Sequence, residues 1–466
     1  MISAAIFVCI TLVSSSGFAT PGSGSWVSRY DGPAHLVDIA LALAVSPDGS
    51  TVFVTGTSDY DPTVATTIPD FATVAYDAST GASLWVSTYD GPAGGKDHAA
   101  DLERSLDGST VFVTGFSDGG PTSLDYATVA YVASTGETLW VSRYGSRANE
   151  PDYASAIGVS RDGSTVFVTG DTLGRERSDL EDFATVAYDA STGMRLWVGR
   201  FDGPTEASFD SPHDLEVSPD GSTVYVTGDS GYSFVSNTVA QYATVAYDAS
   251  TGATKWVRRY DGPAKRPDRA NEVALSPDGS TVFVTGRSHG GSTTLRDYAT
   301  VAYDASTGAT KWVRRYNGPT DGPDMADDVQ VSPDGSTVFV TGGSTGSNFD
   351  YTTVAYDAST GTTLWVKRYK GPSDSFGFAS ALEVTPDGST LLVTGSSNGD
   401  YVTVAYDATS GERLWVSRYD GHGEEDSPRD LGMSPDGSLV FVTGSSGSGM
   451  GSSTSVDYAT VAYETG

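Results

Sequence analysis

Aspartate is the residue of this chain whose spacing most plainly suggests chemistry. A hairpin-like motif, Ser276-Pro-Asp-Gly-Ser-Thr-Val-Phe-Val-Thr-Gly286 in one copy, recurs eight times, and in seven copies an aspartate precedes it by eight residues. These residues are Asp38, Asp97, Asp152, Asp210, Asp268, Asp324 and Asp426, with Gly377 in the remaining copy. Carboxylates repeated in this way could attract Ca²⁺, Mg²⁺ or a cationic ligand, and Asp38, Asp97 and Asp426 are the metal candidates.

A second set of aspartates precedes the recurring Ala-Thr-Val-Ala segment in seven repeats. They are Asp70, Asp125, Asp182, Asp297, Asp350, Asp400 and Asp457, with Gln241 as the exception. Both sets could line a funnel for cations, or they could pair with loop amides and with arginines, since buried carboxylates require partners. The arginines are Arg29, Arg143, Arg200, Arg259, Arg315, Arg368 and Arg418. Repetition in nearly every copy favours the structural interpretation.

The five histidines are the other candidates, and all are predicted to lie in connections that vary between repeats. They are His35, His98, His213, His289 and His422. His422, His35 and His98 belong to consecutive repeats if the last repeat is followed by the first. Histidine beside carboxylates could hold a metal or act as a general base, although histidine also occurs in loops for ordinary reasons. Tyr60 and Tyr232 in the longest connections offer stacking contacts.

The repeats that carry these residues predict a β-propeller. Their period is 49 to 59 residues, and each contains four short alternating or β-branched runs bounded by turn residues. In one repeat the predicted strands A to D are residues 271–275, 281–285, 298–303 and 311–316, and Asp-Gly marks the tight turn between A and B. The fold class is therefore all-β, an eight-bladed propeller of four-stranded antiparallel blades.

The ends of the repeat region predict how the ring closes. The last repeat stops after strand C at Tyr463, whereas Trp26 lies in an isolated strand D near the start. Pairing of these strands completes the eighth blade and removes two exposed sheet edges. We expect residues 20–466 to form this single domain.

Composition restricts the class of protein. Residues 1–19 have the apolar run and small-residue cleavage pattern of a secretory signal peptide, although no Lys or Arg precedes the run, and ten apolar residues are too few to span a bilayer. Cys9 is the only cysteine and lies in this leader, so no disulfide is expected. The net charge of −32 and pI near 4.2 argue against nucleic acid and anionic membranes as partners. We expect a secreted, extracellular monomer without membrane insertion.

Eight tryptophans fall one per repeat in strand D, where we expect them to fasten neighbouring blades. They are Trp26, Trp85, Trp140, Trp197, Trp256, Trp312, Trp365 and Trp415. The segment Ala302-Tyr-Asp304-Ala-Ser-Thr307-Gly308-Ala-Thr-Lys-Trp312 resembles the docking motif of eight-bladed quinoprotein (PQQ-type) propellers. The phrases Val-Thr-Gly and Arg-Tyr-Asp-Gly-Pro resemble SBBP-type repeats of secreted bacterial propellers. Val132 and Ser410 depart from the docking motif.

This resemblance implies a fold more than an activity. Quinoprotein dehydrogenases hold their quinone between a tryptophan and a disulfide, beside a calcium ion. This chain has no cysteine after the leader and no tryptophan to spare, so PQQ is not expected. No cofactor is firmly predicted, and Ca²⁺ stays open.

The B–C and D–A connections differ between repeats and emerge on one face, where loops on a rigid scaffold usually carry function. The leading hypothesis is a secreted, non-catalytic propeller whose variable face binds a glycan, a cell-surface component or a protein. The alternative is a propeller enzyme, a metal-assisted hydrolase or lyase acting on sugars or lactones, and no catalytic residue is assigned. The predicted ligand-binding residues are His35, Asp38, Tyr60, Asp97, His98, Asp152, Asp210, His213, Tyr232, Asp268, Asp324, His422 and Asp426.

Overall fold

The computed structural model describes residues 21–60, 69–120, 124–146, 150–173, 181–203, 208–233, 238–291, 295–372, 376–421, 425–447 and 456–466, which contain 32 β-strands. The chain enters the ring through β1 (Gly24–Tyr30). Blade 1 follows with β2 (Val37–Val45), β3 (Thr51–Tyr60), β4 (Asp70–Asp77) and β5 (Ser83–Tyr89). Blade 2 contains β6 (Asp97–Arg104), β7 (Thr110–Asp118), β8 (Leu124–Val132) and β9 (Thr138–Tyr144).

The next blades repeat the same order of four antiparallel strands. Blade 3 contains β10 (Tyr153–Val159), β11 (Thr165–Leu173), β12 (Glu181–Asp189) and β13 (Arg195–Phe201). Blade 4 contains β14 (Phe209–Val217), β15 (Thr223–Tyr232), β16 (Gln241–Asp248) and β17 (Thr254–Tyr260). Blade 5 contains β18 (Arg269–Leu275), β19 (Thr281–His289), β20 (Arg296–Asp304) and β21 (Thr310–Tyr316).

Three further blades complete the ring. Blade 6 contains β22 (Asp324–Val331), β23 (Thr337–Thr345), β24 (Phe349–Asp357) and β25 (Thr363–Tyr369). Blade 7 contains β26 (Gly377–Val384), β27 (Thr390–Ser397), β28 (Asp400–Asp407) and β29 (Arg413–Tyr419). Blade 8 contains β30 (Ser427–Met433), β31 (Leu439–Gly447) and β32 (Val456–Glu464). The predicted fold class, an all-β propeller of eight four-stranded blades, is confirmed.

The eighth blade receives its fourth strand from the start of the chain. β1 runs antiparallel to β32, and Trp26 lies opposite Ala462. A single parallel bridge between Val37 and Val456 also links blade 8 to blade 1. The predicted pairing of the first strand with the last blade is therefore present.

The first strand of every blade is the innermost. Each of β2, β6, β10, β14, β18, β22, β26 and β30 contacts the next in this order, and β30 contacts β2. These eight strands surround a central channel. The B–C and D–A connections lie at the end of the channel where the innermost strands begin, and we call this end the upper face.

The strands extend further toward the upper face than the sequence predicts. β19 continues four residues past Thr285. At Gly286 the strand passes so close to β18 that a Cβ would lie 2.1 Å from the carbonyl oxygen of Arg269, so only glycine fits there. Glycine permits this close approach of backbones beside a bulge in β18. The glycine of the recurring Val-Thr-Gly is thus a packing requirement.

The turns at the opposite face are held by aspartates. The carboxylate of Asp278 accepts hydrogen bonds from the Ser276 hydroxyl and from the Ser280 amide, and Gly279 has φ of 68°. Hydrogen bonds from Ser276 and Ser280 lower the pKa of Asp278 to about 2. The predicted Asp-Gly turn is therefore stabilised by hydrogen bonds to an ionised carboxylate.

The tryptophans join neighbouring blades through the turn between strands C and D. The indole nitrogen of Trp256 donates to the carbonyl oxygen of Ala305 in the next blade at 2.9 Å, and its ring lies against Gly308. All eight tryptophan indoles donate to a backbone carbonyl in this way. Their role in fastening the blades follows from these contacts.

Candidate functional site

The seven aspartates that precede the hairpin motif are buried beneath the upper connections. Asp38 shows the arrangement, since its carboxylate accepts hydrogen bonds from the amides of Gly32 at 2.8 Å and Asp59 at 2.9 Å. Burial nevertheless raises the pKa of Asp38 to about 7. Asp97, Asp152, Asp210, Asp268, Asp324 and Asp426 make corresponding bonds to loop amides. These contacts agree with a structural role for the seven aspartates, because each carboxylate accepts hydrogen bonds that stabilise a D–A connection.

The second set of aspartates forms ion pairs with the arginines of strand D. Asp350 and Arg368 are 2.7 Å apart, and corresponding pairs hold Asp125, Asp297, Asp400 and Asp457. Blade 1 breaks the rule with Thr88 in the arginine position, and burial together with Asp90 and Asp97 raises the pKa of Asp70 to about 7. Blade 4 keeps the arginine but has Gln241 in place of the aspartate. The Arg259 guanidinium lies over the Phe201 ring, 5.5 Å from its centroid.

In several places one aspartate of each set lies close to a third aspartate, so that three carboxylates come together. In the described part of the chain four such triads place one oxygen from each residue within 4.8 Å of the others. They are Asp31, Asp38 and Asp457; Asp70, Asp90 and Asp97; Asp182, Asp202 and Asp210; and Asp400, Asp420 and Asp426. In the triad of Asp70, Asp90 and Asp97, Thr88 stands where other blades carry the strand D arginine. Carboxylate oxygens are ligands of hard cations such as Ca²⁺, and this triad is the best metal candidate that the structure offers.

The histidines are placed differently from the sequence prediction, which assigned all five to connections. His98 lies on β6, His213 lies on β14, and His289 is the last residue of β19. His35 does lie in a connection, where its exposed ring contacts the Asp31 carboxylate at 2.6 Å. The predicted neighbour His422 lies outside the described residues. None of the four carboxylate triads includes a histidine.

The repeats differ strongly at one cross-strand pair on the inner edge of the upper face. The pair joins the residue seven before the hairpin motif, on the innermost strand, to the residue opposite it on strand B. We call these eight pairs the rim pairs. In blade order they are Ile39 and Thr57, His98 and Phe116, Tyr153 and Asp171, Ser211 and Asp229, Arg269 and Arg287, Met325 and Gly343, Phe378 and Ser396, and Ser427 and Ser445.

No two rim pairs are alike, although the residues around them hardly vary. The preceding position is aspartate in seven blades, and the following position is alanine or proline in all eight. Opposite the strand B member, strand C carries a buried phenylalanine or tyrosine in every blade. Strong variation at one inner position, between two positions that hardly change, indicates a recognition surface.

The rim pairs of blades 2 and 3 form an aromatic surface. The His98 ring stacks on Phe116 with a centroid distance of 5.1 Å and an interplanar angle of 5°, and Phe116 meets Tyr153 edge-on at 5.0 Å. Burial lowers the pKa of His98, which favours the neutral ring at pH 7. Its Nδ1 is buried without a hydrogen-bond partner in the described structure.

Aromatic side chains recur elsewhere on the upper face. Phe349 contacts Phe376 at 5.6 Å and Phe378 at 6.3 Å, and Phe376 is 59% exposed. The predicted site residue Tyr232 lies 6.0 Å from Phe209 in blade 4. Tyr60 ends β3 at the same face.

Blades 4 and 5 present charge instead. Nε2 of His213 hydrogen-bonds to the Asp229 carboxylate, and Nδ1 of His213 lies 3.2 Å from the Arg269 guanidinium. Since an arginine can only donate, Nδ1 accepts and Nε2 carries the proton that goes to Asp229. Arg287 lies opposite Arg269 and donates to the Met325 sulfur at 3.5 Å. Both nitrogens of His213 are therefore engaged, and the histidine holds Asp229 and Arg269 together.

Below the rim, acidic side chains from alternate blades surround the channel. Asp101, Asp214, Asp328 and Asp430 occupy equivalent positions in blades 2, 4, 6 and 8, and each accepts a hydrogen bond from an innermost-strand amide of the next blade. In return, Ser155, Asn271 and Ser380 of blades 3, 5 and 7 donate to a carbonyl of the following blade. The sequence analysis missed this set because it compared positions common to all repeats, whereas the signal is an aspartate four residues before every second hairpin motif.

Further carboxylates lie one step deeper in the channel. Glu383 accepts a hydrogen bond from the Gln330 amide at 2.9 Å, and burial raises its pKa to about 8. The pKa of Glu216 is also raised to about 8, mainly by desolvation, and the pKa of Glu103 is raised for the same reason. Burial likewise raises the pKa of Asp101 to about 8. The channel is a row of carboxyl groups that favour their protonated forms near neutral pH.

The relatives of the chain agree with this architecture. A family model described as outer membrane protein assembly factor BamB, a PQQ-type repeat, matches residues 70–232 and 182–447. The chain belongs to this family. The resemblance to PQQ-type propeller repeats is thereby confirmed, and no curated protein is significantly similar to this PQQ-type propeller in sequence.

Solved structures similar to this PQQ-type propeller include proteins of quite different kinds. Sqt1 of Chaetomium thermophilum, bound to the N-terminus of ribosomal protein L10, has a TM-score of 0.60 at 15% identity, covering 94% of this chain and 98% of its own. The Dos1 propeller has a TM-score of 0.59 at 13% identity, covering 94% and 95%. Quinohemoprotein alcohol dehydrogenase of Comamonas testosteroni has a TM-score of 0.56 at 13% identity, covering 94% and 76%. At these identities the likeness shows the fold alone.

The side chains of this PQQ-type propeller do not fit a quinone held between a tryptophan and a disulfide. Each of the eight tryptophans packs between blades with its indole nitrogen bonded to a carbonyl oxygen, as Trp256 does with Ala305. The only cysteine is Cys9, before the first strand of the ring. We therefore derive no step through such a cofactor. No helix in the described residues combines the length and apolarity that crossing a membrane requires.

Proposed function

We propose that this PQQ-type propeller is a secreted, non-catalytic binding protein that takes a saccharide at the rim pairs. The observation that carries the proposal is that all eight rim pairs differ, although the position before them is aspartate in seven blades and the position after them is alanine or proline in all eight. A propeller that only had to close would have no reason to differ there. The expected apolar leader at residues 4–13 supports export to the extracellular space.

The side chains at the rim suit a sugar. The His98, Phe116 and Tyr153 rings offer flat apolar surface beside hydrogen-bonding groups, and amphipathic rings of this kind suit a ligand with both polar edges and apolar faces. Asp229 and Arg269 add fixed polar groups two blades further on. Small-molecule sites are typically lined by aromatic and apolar side chains with a few polar groups, and the rim has this composition.

The chemistry at the rim favours binding over catalysis. A general base needs a nitrogen or oxygen free to take the substrate proton. His213 uses both ring nitrogens, and the His35 ring is exposed and bonded to Asp31. The Nδ1 of His98 has no hydrogen-bond partner in the described structure, but it is buried away from the surface that a substrate would reach. The metal-assisted hydrolase or lyase therefore remains the second candidate, and its cation would belong to the carboxylate triad of Asp70, Asp90 and Asp97.

A glycan array with the purified protein tests the proposal. The double variant His98→Ala, Phe116→Ala should lose at least tenfold in affinity for the saccharide that the wild type binds. Leu106→Ala is the matched control, because Leu106 is 57% exposed in the turn at the opposite face and should leave affinity unchanged. Absence of any saccharide ligand, or equal binding by the rim variant, would overturn the proposal. Turnover of the bound sugar upon adding Ca²⁺ would favour the enzyme instead.

A further inference from the structure

Blades 4 and 5 concentrate positive charge in a strongly acidic protein. The chain has a net charge of −32, yet residues 255–315 contain eleven basic residues against the six acidic residues Asp261, Asp268, Glu272, Asp278, Asp297 and Asp304. The basic residues are Lys255, Arg258, Arg259, Lys265, Arg266, Arg269, Arg287, Arg296, Lys311, Arg314 and Arg315. Such a local reversal of sign creates a field that attracts anions to one sector of the ring.

Five of these cations lie on the upper face at blade 5. Lys265 and Arg266 are exposed in the connection that leads into the blade, and Arg269, Arg287 and Arg296 lie at the upper ends of β18, β19 and β20. We call these five residues the basic cluster. It adjoins the channel mouth through the rim pair of Arg269 and Arg287.

In the rim pair of blade 5, two positively charged side chains face each other across neighbouring strands. Arg269 and Arg287 are directly cross-strand neighbours, and such pairs destabilise a sheet. The half-buried Arg287 guanidinium has the Met325 sulfur as its only hydrogen-bond acceptor in the described structure. A guanidinium carries five N–H donors, and a thioether is a weak acceptor. Most N–H groups of Arg287 are therefore not bonded to the described protein, and a ligand arriving from solvent can reach them.

The nearby carboxylates neutralise the cluster only in part. Asp327 interacts electrostatically with both Arg269 and Arg287, but burial raises the pKa of Asp327 to about 8 and so favours its neutral form. Asp229 is shared between His213 and Arg269 and lies 3.8 Å from the Arg269 Nε. Asp268 is occupied by the amides of Gly262 and His289. Asp297 pairs with Arg315 at 2.9 Å, on the outer strand of the blade. An anion between Arg269 and Arg287 would relieve their repulsion and supply acceptors in the bidentate geometry that arginine favours.

We infer that the ligand is an anionic saccharide whose carboxylate or sulfate group is held between Arg269 and Arg287. This inference rests on the proposed function and names the class of sugar. The aromatic rim pair of blade 2 contacts the sugar rings, and the basic cluster of blade 5 selects those that carry negative charge. The overall charge of −32 confines anion binding to this sector, since an acidic polymer is repelled by the rest of the surface.

Titration calorimetry with three probes tests the inference. The probes are an oligogalacturonate, the same oligomer with its carboxyl groups reduced, and a sulfated oligosaccharide of similar length. At low salt the wild type should bind a charged oligomer at least tenfold more tightly than the reduced one. Preference between the carboxylated and sulfated probes identifies the source of the charge.

Two variants and a control assign the effect to the rim pair. Arg269→Gln and Arg287→Gln should each remove most of the preference for the charged oligomer, so affinity for the charged oligomer should fall much further than affinity for the reduced one. Arg161→Gln, an exposed arginine in the turn at the opposite face, loses the same charge and should bind like the wild type. Melting curves verify that each variant is folded.

The outcomes separate this inference from the proposed function. Equal affinity for charged and reduced oligomers overturns the anionic ligand but keeps saccharide binding. An undiminished preference in both arginine variants also overturns it. Failure of all three oligomers and of the wider glycan array to bind overturns the proposed function itself.

Discussion

Raising the pH from 5 to 8 should lower the free energy of unfolding of this propeller. The channel carboxyl groups have raised pKa values in the folded protein, whereas in the unfolded chain they titrate near pH 4. Between these values the folded state holds protons that the unfolded state releases, so stability falls as the pH rises. The turn aspartates act in the opposite sense, because their pKa values are lowered, and the pKa of about 2 of Asp278 confines its effect to acid below about pH 4.

The size of the effect follows from the number of protons. Asp101, Glu216 and Glu383 each have a pKa of about 8. Solvent reaches the Glu216 side chain through the channel, so we count two protons rather than three. Each proton retained by the folded state contributes about 1.4 kcal/mol per pH unit, so these two give a slope of about −2.7 kcal/mol per pH unit near pH 7. Asp327, whose pKa is also about 8, makes the slope steeper.

Urea denaturation followed by tryptophan fluorescence at half-unit intervals from pH 5 to 8 measures this slope. Glu383→Gln keeps the size of the side chain, including its contact with Gln330, and removes one titrating group. The variant should be more stable than the wild type at pH 8, with a slope shallower by up to about 1.4 kcal/mol per pH unit. Glu137→Gln, on an exposed turn, should keep the wild-type slope. Stability that is constant or rises from pH 5 to 8 would refute the reasoning.

Three further outcomes are expected. Trp140→Phe removes the 2.9 Å hydrogen bond to Ala190 and should lower the free energy of unfolding by about 1–3 kcal/mol in urea denaturation; an unchanged midpoint would contradict the docking role. Deleting residues 21–30 exposes the edge of β32 and should cause aggregation detected by light scattering, whereas a monodisperse product would argue against the pairing. Arg287→Gln should raise stability by about 0.2–1 kcal/mol, because it relieves repulsion by Arg269, and a lower melting temperature would count against that repulsion.

The architecture could be predicted from the sequence because its determinants are local and repeated. The Asp-Gly turn at Asp278 and Gly279 and the tryptophan at position 312 recur at fixed spacing, so one repeat explains the others. The upper ends of the strands could not be predicted in the same way. β19 reaches His289 because β20 continues beside it as far as Arg296, and such pairing depends on neighbours that lie outside the motif.

The candidate site was less accessible to prediction than the fold. Residues repeated in nearly every copy, such as Asp38, were easy to find, and the structure places them in hydrogen bonds that support the loops. The rim pairs depend on strand register, which joins Arg269 to Arg287 across a bulge that the sequence does not reveal. The channel aspartates such as Asp101 occur only in every second blade, so a search for residues shared by all repeats does not detect them.

The split of blade 8 between the two ends of the chain bears on how such a gene can change. Near-identical repeats invite unequal recombination, which adds or removes one whole copy. Because blade 8 takes β1 from the start of the chain and β30 to β32 from its end, a copy gained or lost between them leaves both parts of the closing blade in place. Each channel aspartate of an even blade bonds to an amide of the odd blade that follows it. Descendants that gain or lose blades in twos would keep this alternation.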